Sequence, residues 1–100
     1  MANIHVKKTN IEGLYVIEPI VFSDYRGIYF ETYNYEVFSS YGLNYHFVQD
    51  NESVSKKGVL RGMHVNMKHP QGKLIRVLSG EILDVVIDLR KESKTYMSCF

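Results

Sequence analysis

The sequence predicts an all-β domain, either a barrel or a sandwich, with one short helix. Short apolar runs recur at regular spacing along the 100 residues, and turn-forming residues separate them. Eight tyrosines and five phenylalanines suit strands, which favour aromatic side chains. A single helical pattern interrupts the strands. Because a chain of this length forms one modest core, we assign residues 1–100 to a single domain.

The predicted elements follow from local patterns and from the residues that end them. Pro19 places the first strand at an edge or a bend, because proline cannot donate a ladder hydrogen bond. Asn34 is expected to cap the helix and Gly42 to end it. Gly62 interrupts a later strand, and Ser79-Gly80 is a hairpin turn. In chain order, the elements are a strand at 14–22, a turn at 23–27, a strand at 28–32, the helix at 35–42, a polar strand at 46–54, a strand at 59–65, a hairpin of 73–78 with 81–89, and an apolar run at 95–100.

The hairpin is the clearest element, and its alternation separates two faces. One face is drier and is expected to be the main packing face. The other face carries Lys73 and Asp84 as diagonal neighbours, within reach of each other. This pair either lines a cavity, where each charge favours the ionised form of the other, or forms a surface salt bridge worth about 0 to 1 kcal/mol. The residues predicted on this second face are Lys73, Ile75, Val77, Ile82, Asp84, Val86 and Asp88.

Composition and charge argue against several function classes. The net charge of +1 gives no electrostatic basis for binding nucleic acid or an anionic membrane surface. The single cysteine, Cys99, cannot form an internal disulfide and suits a reducing compartment. The sequence contains neither an apolar run long enough to span a bilayer nor the apolar core of a signal peptide. We therefore expect a cytoplasmic protein with no nucleic-acid or membrane partner.

His64 is the candidate general base, because histidine titrates near neutral pH. An isolated histidine in a strand more often has a structural role than a catalytic one, and the residues alone leave both interpretations open. Arg61 suits bidentate contact with phosphate, but alternation places it on the face opposite His64 unless the strand bulges at Gly62. Strand-borne metal sites commonly use a His-x-His pair. Because Asn66 takes the second position here, we expect no metal.

The strongest functional signal is a set of four segments, namely VFSDYRGIYFETYN (21–34), FVQDNESVSKKGVLRGMH (47–64), PQGKLIRVLSGEILDVVIDLRKES (70–93) and KTY (94–96). Together they resemble the dTDP-4-dehydrorhamnose 3,5-epimerase family, which has a cupin (jelly-roll) fold. The match spans nearly the whole chain in the expected order. It corresponds to the N-terminal half or so of a typical family member. The resemblance therefore implies a cupin barrel that is truncated within its domain.

The resemblance implies a role for each matching residue. His64 matches the base that removes the protons beside the 4-keto group at C3 and C5, and Lys73 matches the cation that stabilises the enolate oxygen. Asp84 matches an acidic residue of the barrel interior. The family's chemistry implies no cofactor. Contacts with the dTDP-sugar substrate are implied for Gln49, Asp50, Asn51 and Arg61, a position near the thymine for Phe22, and contacts with the neighbouring subunit's site for Arg26 and Glu31, across a homodimer with exchanged N-terminal strands.

Two departures from the family pattern motivate alternatives. After Gly62 the sequence reads Met-His-Val-Asn, where the family has Leu-His followed by an aromatic residue and Gln. The family's tyrosine proton donor and the carboxylate that orients the base lie beyond residue 100, so epimerisation at C5 is expected to fail or slow. The first alternative is a related nucleotide-sugar 3-epimerase or ketoisomerase. The second is a non-catalytic cupin fragment that binds a nucleotide sugar or only dimerises.

Overall fold

The computed structural model describes residues 4–100. Within them, two antiparallel strand pairs and one helix form, and the rest of the chain is irregular. The elements are β1 (Ile4–Lys8), β2 (Tyr15–Pro19), β3 (Phe22–Asp24), β4 (Gly27–Tyr29) and α1 (Tyr35–Ser40). β1 pairs with β2 over five residue pairs, and β3 pairs with β4 over three.

The core lies between α1 and the β1–β2 pair. Phe38 is its centre, with 2% of its surface exposed, and Tyr33 packs edge-on against it with 4.8 Å between the ring centroids. The Tyr41 hydroxyl donates a hydrogen bond to the Ile4 carbonyl at 2.9 Å, which ties the end of the helix to β1. Burial of this apolar surface is the main stabilising contribution. The buried residues are Ile4, Val37, Phe38 and Leu43, and the partly buried ones packed on them are Val6, Tyr15, Ile17 and Tyr33.

Both ends of α1 are fixed by the residues that the sequence predicts. The Asn34 side chain accepts a hydrogen bond from the Val37 amide at 3.2 Å, which satisfies a donor of the first turn. Gly42 has a φ of +81°, which glycine adopts without steric cost. The Gly42 and Leu43 amides donate back to the last turn at 2.9 and 3.0 Å, and Leu43 packs with Phe38 in the core, as in a Schellman motif. The predictions that Asn34 caps the helix and that Gly42 ends it are confirmed.

The strand predictions for the first half of the chain need correction. β1 was not predicted, because its short sequence, IHVKK, contains only two apolar residues. The strand predicted at 14–22 is divided in two, since β2 ends at Pro19, which cannot continue a ladder. The strand predicted at 28–32 is wrong beyond Tyr29, because β3 offers only three partner residues.

The strands predicted at 46–54 and 59–65, and the hairpin of 73–78 with 81–89, do not form as hydrogen-bonded ladders within residues 4–100. A strand needs a neighbour that pairs its amides and carbonyls. Within residues 4–100, the segments 46–54, 59–65 and 73–85 have no such hydrogen-bonded partner strand. The position of the hairpin turn is nevertheless correct, since the chain bends around Gly80, whose φ is +83°.

The last residues of the predicted hairpin pair with the final apolar run instead. Val86 and Phe100 exchange two backbone hydrogen bonds, of 3.1 and 2.9 Å. The adjacent residues Ile87 and Cys99 form an antiparallel bridge. The second arm of the predicted hairpin therefore turns back at residues 90–96 and contacts the end of the chain.

Large apolar side chains of the irregular half face solvent. Leu60 is 92% exposed, and Val48, Val54 and Leu83 are exposed to a similar degree. Where such exposed apolar residues form a contiguous patch, the patch commonly marks an interaction site.

Candidate functional site

A cavity of about 480 Å³ lies between the β1–β2 pair and the segment that carries the predicted hairpin. Its volume is typical of small-molecule sites. The walls are mainly apolar and include the aromatic rings of Tyr45, Phe47 and Phe100. Lys73 and Asp84 are the charged residues of its lining. An ammonium group in such a mainly apolar site can stabilise negative charge that develops on a bound molecule.

Lys73 and Asp84 share this cavity, as expected from the alternation of the predicted hairpin, but Leu74, which is predicted on the opposite face, also lines it. Asp88, predicted on the same face as Lys73 and Asp84, is buried elsewhere. Among residues 4–100, Lys73 and Asp84 form no ion pair, so the surface salt bridge is not realised. The residues of the predicted face that line the cavity are Lys73, Ile75, Val77, Ile82, Asp84 and Val86.

The β3–β4 hairpin forms a second concavity, of about 520 Å³. Phe22, Ile28 and Tyr29 each expose more than half of their surface on this hairpin. Arg26 also lines the concavity, and its guanidinium donates to the Asp24 carboxylate with a closest distance of 2.6 Å. The guanidinium holds the pKa of the Asp24 carboxyl below its usual value. The hairpin thus presents aromatic rings and a cation to solvent, groups that can stack on a base and pair with phosphate.

The polar residues at 31 and 49–51 lie outside both concavities. The half-buried Glu31 carboxylate accepts a hydrogen bond from the Asn34 side-chain amide at 3.3 Å. The Gln49 side chain donates to Asn51 at 3.4 Å, and Asp50 between them is exposed. These side chains offer donors and acceptors that suit a sugar or a base.

His64 is exposed and follows a change of backbone conformation at Gly62. The φ of Gly62 is +103°, a conformation that side-chain-bearing residues rarely adopt. The backbone conformation therefore changes at Gly62. This is the position where the alternation of side chains requires a bulge if Arg61 and His64 are to share a cleft. A Cβ added to Gly62 would lie 3.9 Å from His64 Nδ1, so the imidazole lies beside the glycine. Arg61 Nε donates to Ser55 Oγ at 2.9 Å.

A sequence profile of dTDP-4-dehydrorhamnose 3,5-epimerase matches residues 8–100. The chain belongs to this epimerase family. A relative of that name from Methanothermobacter thermautotrophicus is 53% identical over 96 residues, which make up 96% of this chain and 52% of that protein. The one from Salmonella typhimurium is 50% identical over 93 residues, 91% of this chain and 51% of that protein.

A solved structure confirms the fold class. The crystal structure of dTDP-4-dehydrorhamnose 3,5-epimerase from Elizabethkingia anophelis matches with a TM-score of 0.89 at 47% identity, covering 98% of this chain and 55% of that chain. This chain therefore follows the cupin-type course of the epimerase family, although only two strand pairs form within residues 4–100. It spans about half the length of the relatives that it matches.

The structure brings some of the predicted epimerase residues together and leaves others apart. Lys73 and Asp84 line one cavity, and Phe22 and Arg26 line the other. The roles given to these residues stay predictions. The predicted residues that line neither cavity are Glu31, Gln49, Asp50, Asn51, Arg61 and His64.

Asp88 is the centre of a polar network that was not predicted from the sequence. Its side chain is 1% exposed and accepts hydrogen bonds from Arg90 Nε at 2.9 Å and from the Ser93 and Thr95 hydroxyls at 2.6 and 2.7 Å. These bonds, that of Arg90 above all, hold the pKa of Asp88 well below its usual range, and the carboxylate raises the pKa of Arg90. Arg90 also donates to the Glu12 carbonyl at 2.8 Å, which fastens this turn to the β1–β2 loop. The spacing Asp-x-Arg-x-x-Ser-x-Thr is the signal that reveals it.

Within residues 4–100, no group of three or more histidine, cysteine or acidic side chains is placed to hold a metal ion. The same residues include no helix with the length and apolar character needed to cross a membrane.

Proposed function

We propose that this chain carries the base and the enolate-stabilising cation of a dTDP-4-dehydrorhamnose 3,5-epimerase. The substrate is dTDP-4-dehydro-6-deoxy-D-glucose, and inversion at C3 and C5 gives dTDP-4-dehydro-L-rhamnose for dTDP-L-rhamnose and surface polysaccharide synthesis. The family match over residues 8–100 is the observation that carries the proposal. The cavity that holds Lys73 and Asp84 supports it with suitable chemistry.

The reaction needs a base and a cation at the same edge of the sugar. A proton next to a ketone becomes removable only when the enolate oxygen that results is stabilised. In the proposed mechanism, the His64 imidazole takes the proton from C3, and the ammonium of Lys73 stabilises the negative oxygen at C4. The enolate takes up a proton from solvent on the opposite face, which inverts the carbon, and His64 releases its proton to solvent. The same steps at C5 complete the reaction. The substrate is neither oxidised nor reduced overall, so the mechanism requires no cofactor.

The second part of the proposal is a cytoplasmic homodimer in which the N-terminal strands are exchanged. The exposed β3–β4 hairpin supports this arrangement, because Phe22 and Arg26 expose aromatic and cationic groups that a second copy can receive. The exposed apolar residues of the irregular half, such as Leu60 and Leu83, support an interface as well.

A related 3-epimerase or ketoisomerase is the second candidate function. The residues around the proposed base favour it, since Met63, Val65 and Asn66 depart from the family pattern. Proton NMR of the product separates the two, because inversion at both carbons, inversion at C3 alone and migration of the keto group give different spectra.

Replacement of Lys73 by methionine tests the proposed chemistry. We expect Lys73→Met to slow exchange of the C3 proton by about 100-fold or more, the usual cost of losing one stabilising donor. Lys68→Met is the matched control, since Lys68 is also exposed and lies outside the cavity. A folded Lys73→Met variant that exchanges at the wild-type rate would overturn the role of Lys73.

A further inference from the structure

Arg26 is held by Asp24, two residues earlier, at the tip of the β3–β4 hairpin. The Arg26 backbone amide donates to Asp24 Oδ1 at 2.8 Å. Its guanidinium donates to Oδ2 from Nε at 3.1 Å and from Nη2 at 2.6 Å, and Nε also lies 3.4 Å from Oδ1. One carboxylate therefore fixes both the backbone and one edge of the guanidinium.

The edge of the guanidinium formed by Nη1 and Nη2 stays open to solvent. The Arg26 side chain is 75% exposed, and Nη1 takes part in no hydrogen bond among residues 4–100. The Tyr25 ring lies next to it, with 5.9 Å from the guanidinium carbon to the ring centroid. Through Nη1 and the outer hydrogen of Nη2, the planar fork can pair with two oxygens of a phosphate group.

We propose that Asp24 is a positioning residue, which orients Arg26 before a ligand arrives so that the open edge can receive the diphosphate of a nucleotide sugar. The inference rests on the proposed function, which supplies a dTDP-sugar as the ligand. A surface arginine otherwise samples many rotamers, and immobilising such a side chain reduces binding affinity. Because Asp24 already restricts the Arg26 side chain in the unbound protein, less side-chain entropy is lost on binding.

Positioning and simple electrostatics predict opposite effects for the loss of Asp24. Its carboxylate has the same sign of charge as the diphosphate, so removal of that charge strengthens binding if net charge dominates. Removal weakens binding if the orientation of Arg26 dominates. The direction of the change in affinity therefore distinguishes the two explanations.

The test is calorimetric titration of the chain with dTDP in low salt and in about 0.5 M salt, where charge effects are screened. Asp24→Asn keeps an acceptor for the Arg26 amide and loses the ion pair. We expect its Kd for dTDP to rise about two- to tenfold, and the rise to persist in high salt. Glu18→Gln is the matched control, because Glu18 forms an exposed ion pair with Lys7 at 2.7 Å outside this hairpin, and its Kd is expected to stay unchanged.

Two further results complete the test. In an Arg26→Ala background, Asp24→Asn is expected to change the Kd no further, because its effect acts through Arg26. Unfolding midpoints of all variants are expected to match the wild type. A wild type that binds dTDP, with Asp24→Asn binding as tightly or more tightly, overturns the inference and leaves the proposed function intact. A folded wild type that does not bind dTDP overturns both.

Discussion

Replacement of Phe38 by alanine tests whether the small core between α1 and the β1–β2 pair stabilises the fold. Phe38 is 2% exposed and packs against Tyr33 with 4.8 Å between ring centroids. Truncation of a buried phenylalanine typically costs about 3 to 5 kcal/mol, and loss of the aromatic pair is included in that change. We expect about 3 to 4 kcal/mol here, because several residues around Phe38 are only partly buried and can relax.

Urea unfolding measures this change directly. A loss of about 3 to 4 kcal/mol, with an m-value near 1.5 to 2 kcal/mol/M, lowers the midpoint by about 2 M. Tyr25→Ala is the matched control, since this aromatic ring is 97% exposed, and its effect is expected within about 0.5 kcal/mol. Equal destabilisation by the two substitutions would refute the assignment of the core to the residues around Phe38.

Two other predictions concern single hydrogen-bonded groups. Asn34→Ala is expected to lower the free energy of unfolding by about 1 kcal/mol through loss of the helix cap, whereas Asn34→Ser keeps a capping oxygen and changes it by a few tenths; equal losses in urea unfolding would contradict the capping role. Asp88 has a folded-state pKa below its unfolded value, mainly because of Arg90, so its stabilisation is complete above the unfolded pKa of about 4 and is lost as pH falls below it. Between pH 6 and pH 3, the melting temperature is expected to fall less for Asp88→Asn than for the wild type, and parallel falls would rule out this contribution.

The features that the sequence predicts well are local ones. Asn34 and Gly42 set the ends of α1 through bonds within a few residues, so sequence alone locates them. Alternation likewise places Lys73 and Asp84 on one side of the chain, and both line the cavity. Membership of the epimerase family is also predicted from the motifs and then confirmed by the match over residues 8–100.

Pairing and side-chain partners are harder to predict, because they depend on distant segments. The strands predicted at 46–54 and 59–65 have the right pattern but no hydrogen-bonded partner strand within residues 4–100, and a pattern cannot supply one. The Asp88 network joins a turn to a loop more than 70 residues earlier through Arg90 and Glu12. The family resemblance predicts His64 as the base, but sequence does not place its ring relative to Lys73.

The most direct test of the proposed epimerase chemistry is deuterium exchange into dTDP-4-dehydro-6-deoxy-D-glucose in D2O, followed by proton NMR. The wild-type chain is expected to exchange the C3 proton faster than a sample without protein. His64→Ala is expected to slow this exchange by about 100-fold or more, as for loss of a general base, while His69→Ala, a nearby exposed histidine, retains it. A folded wild-type chain that exchanges no proton, or a His64→Ala variant that exchanges at the wild-type rate, would contradict the assignment of His64 as the base.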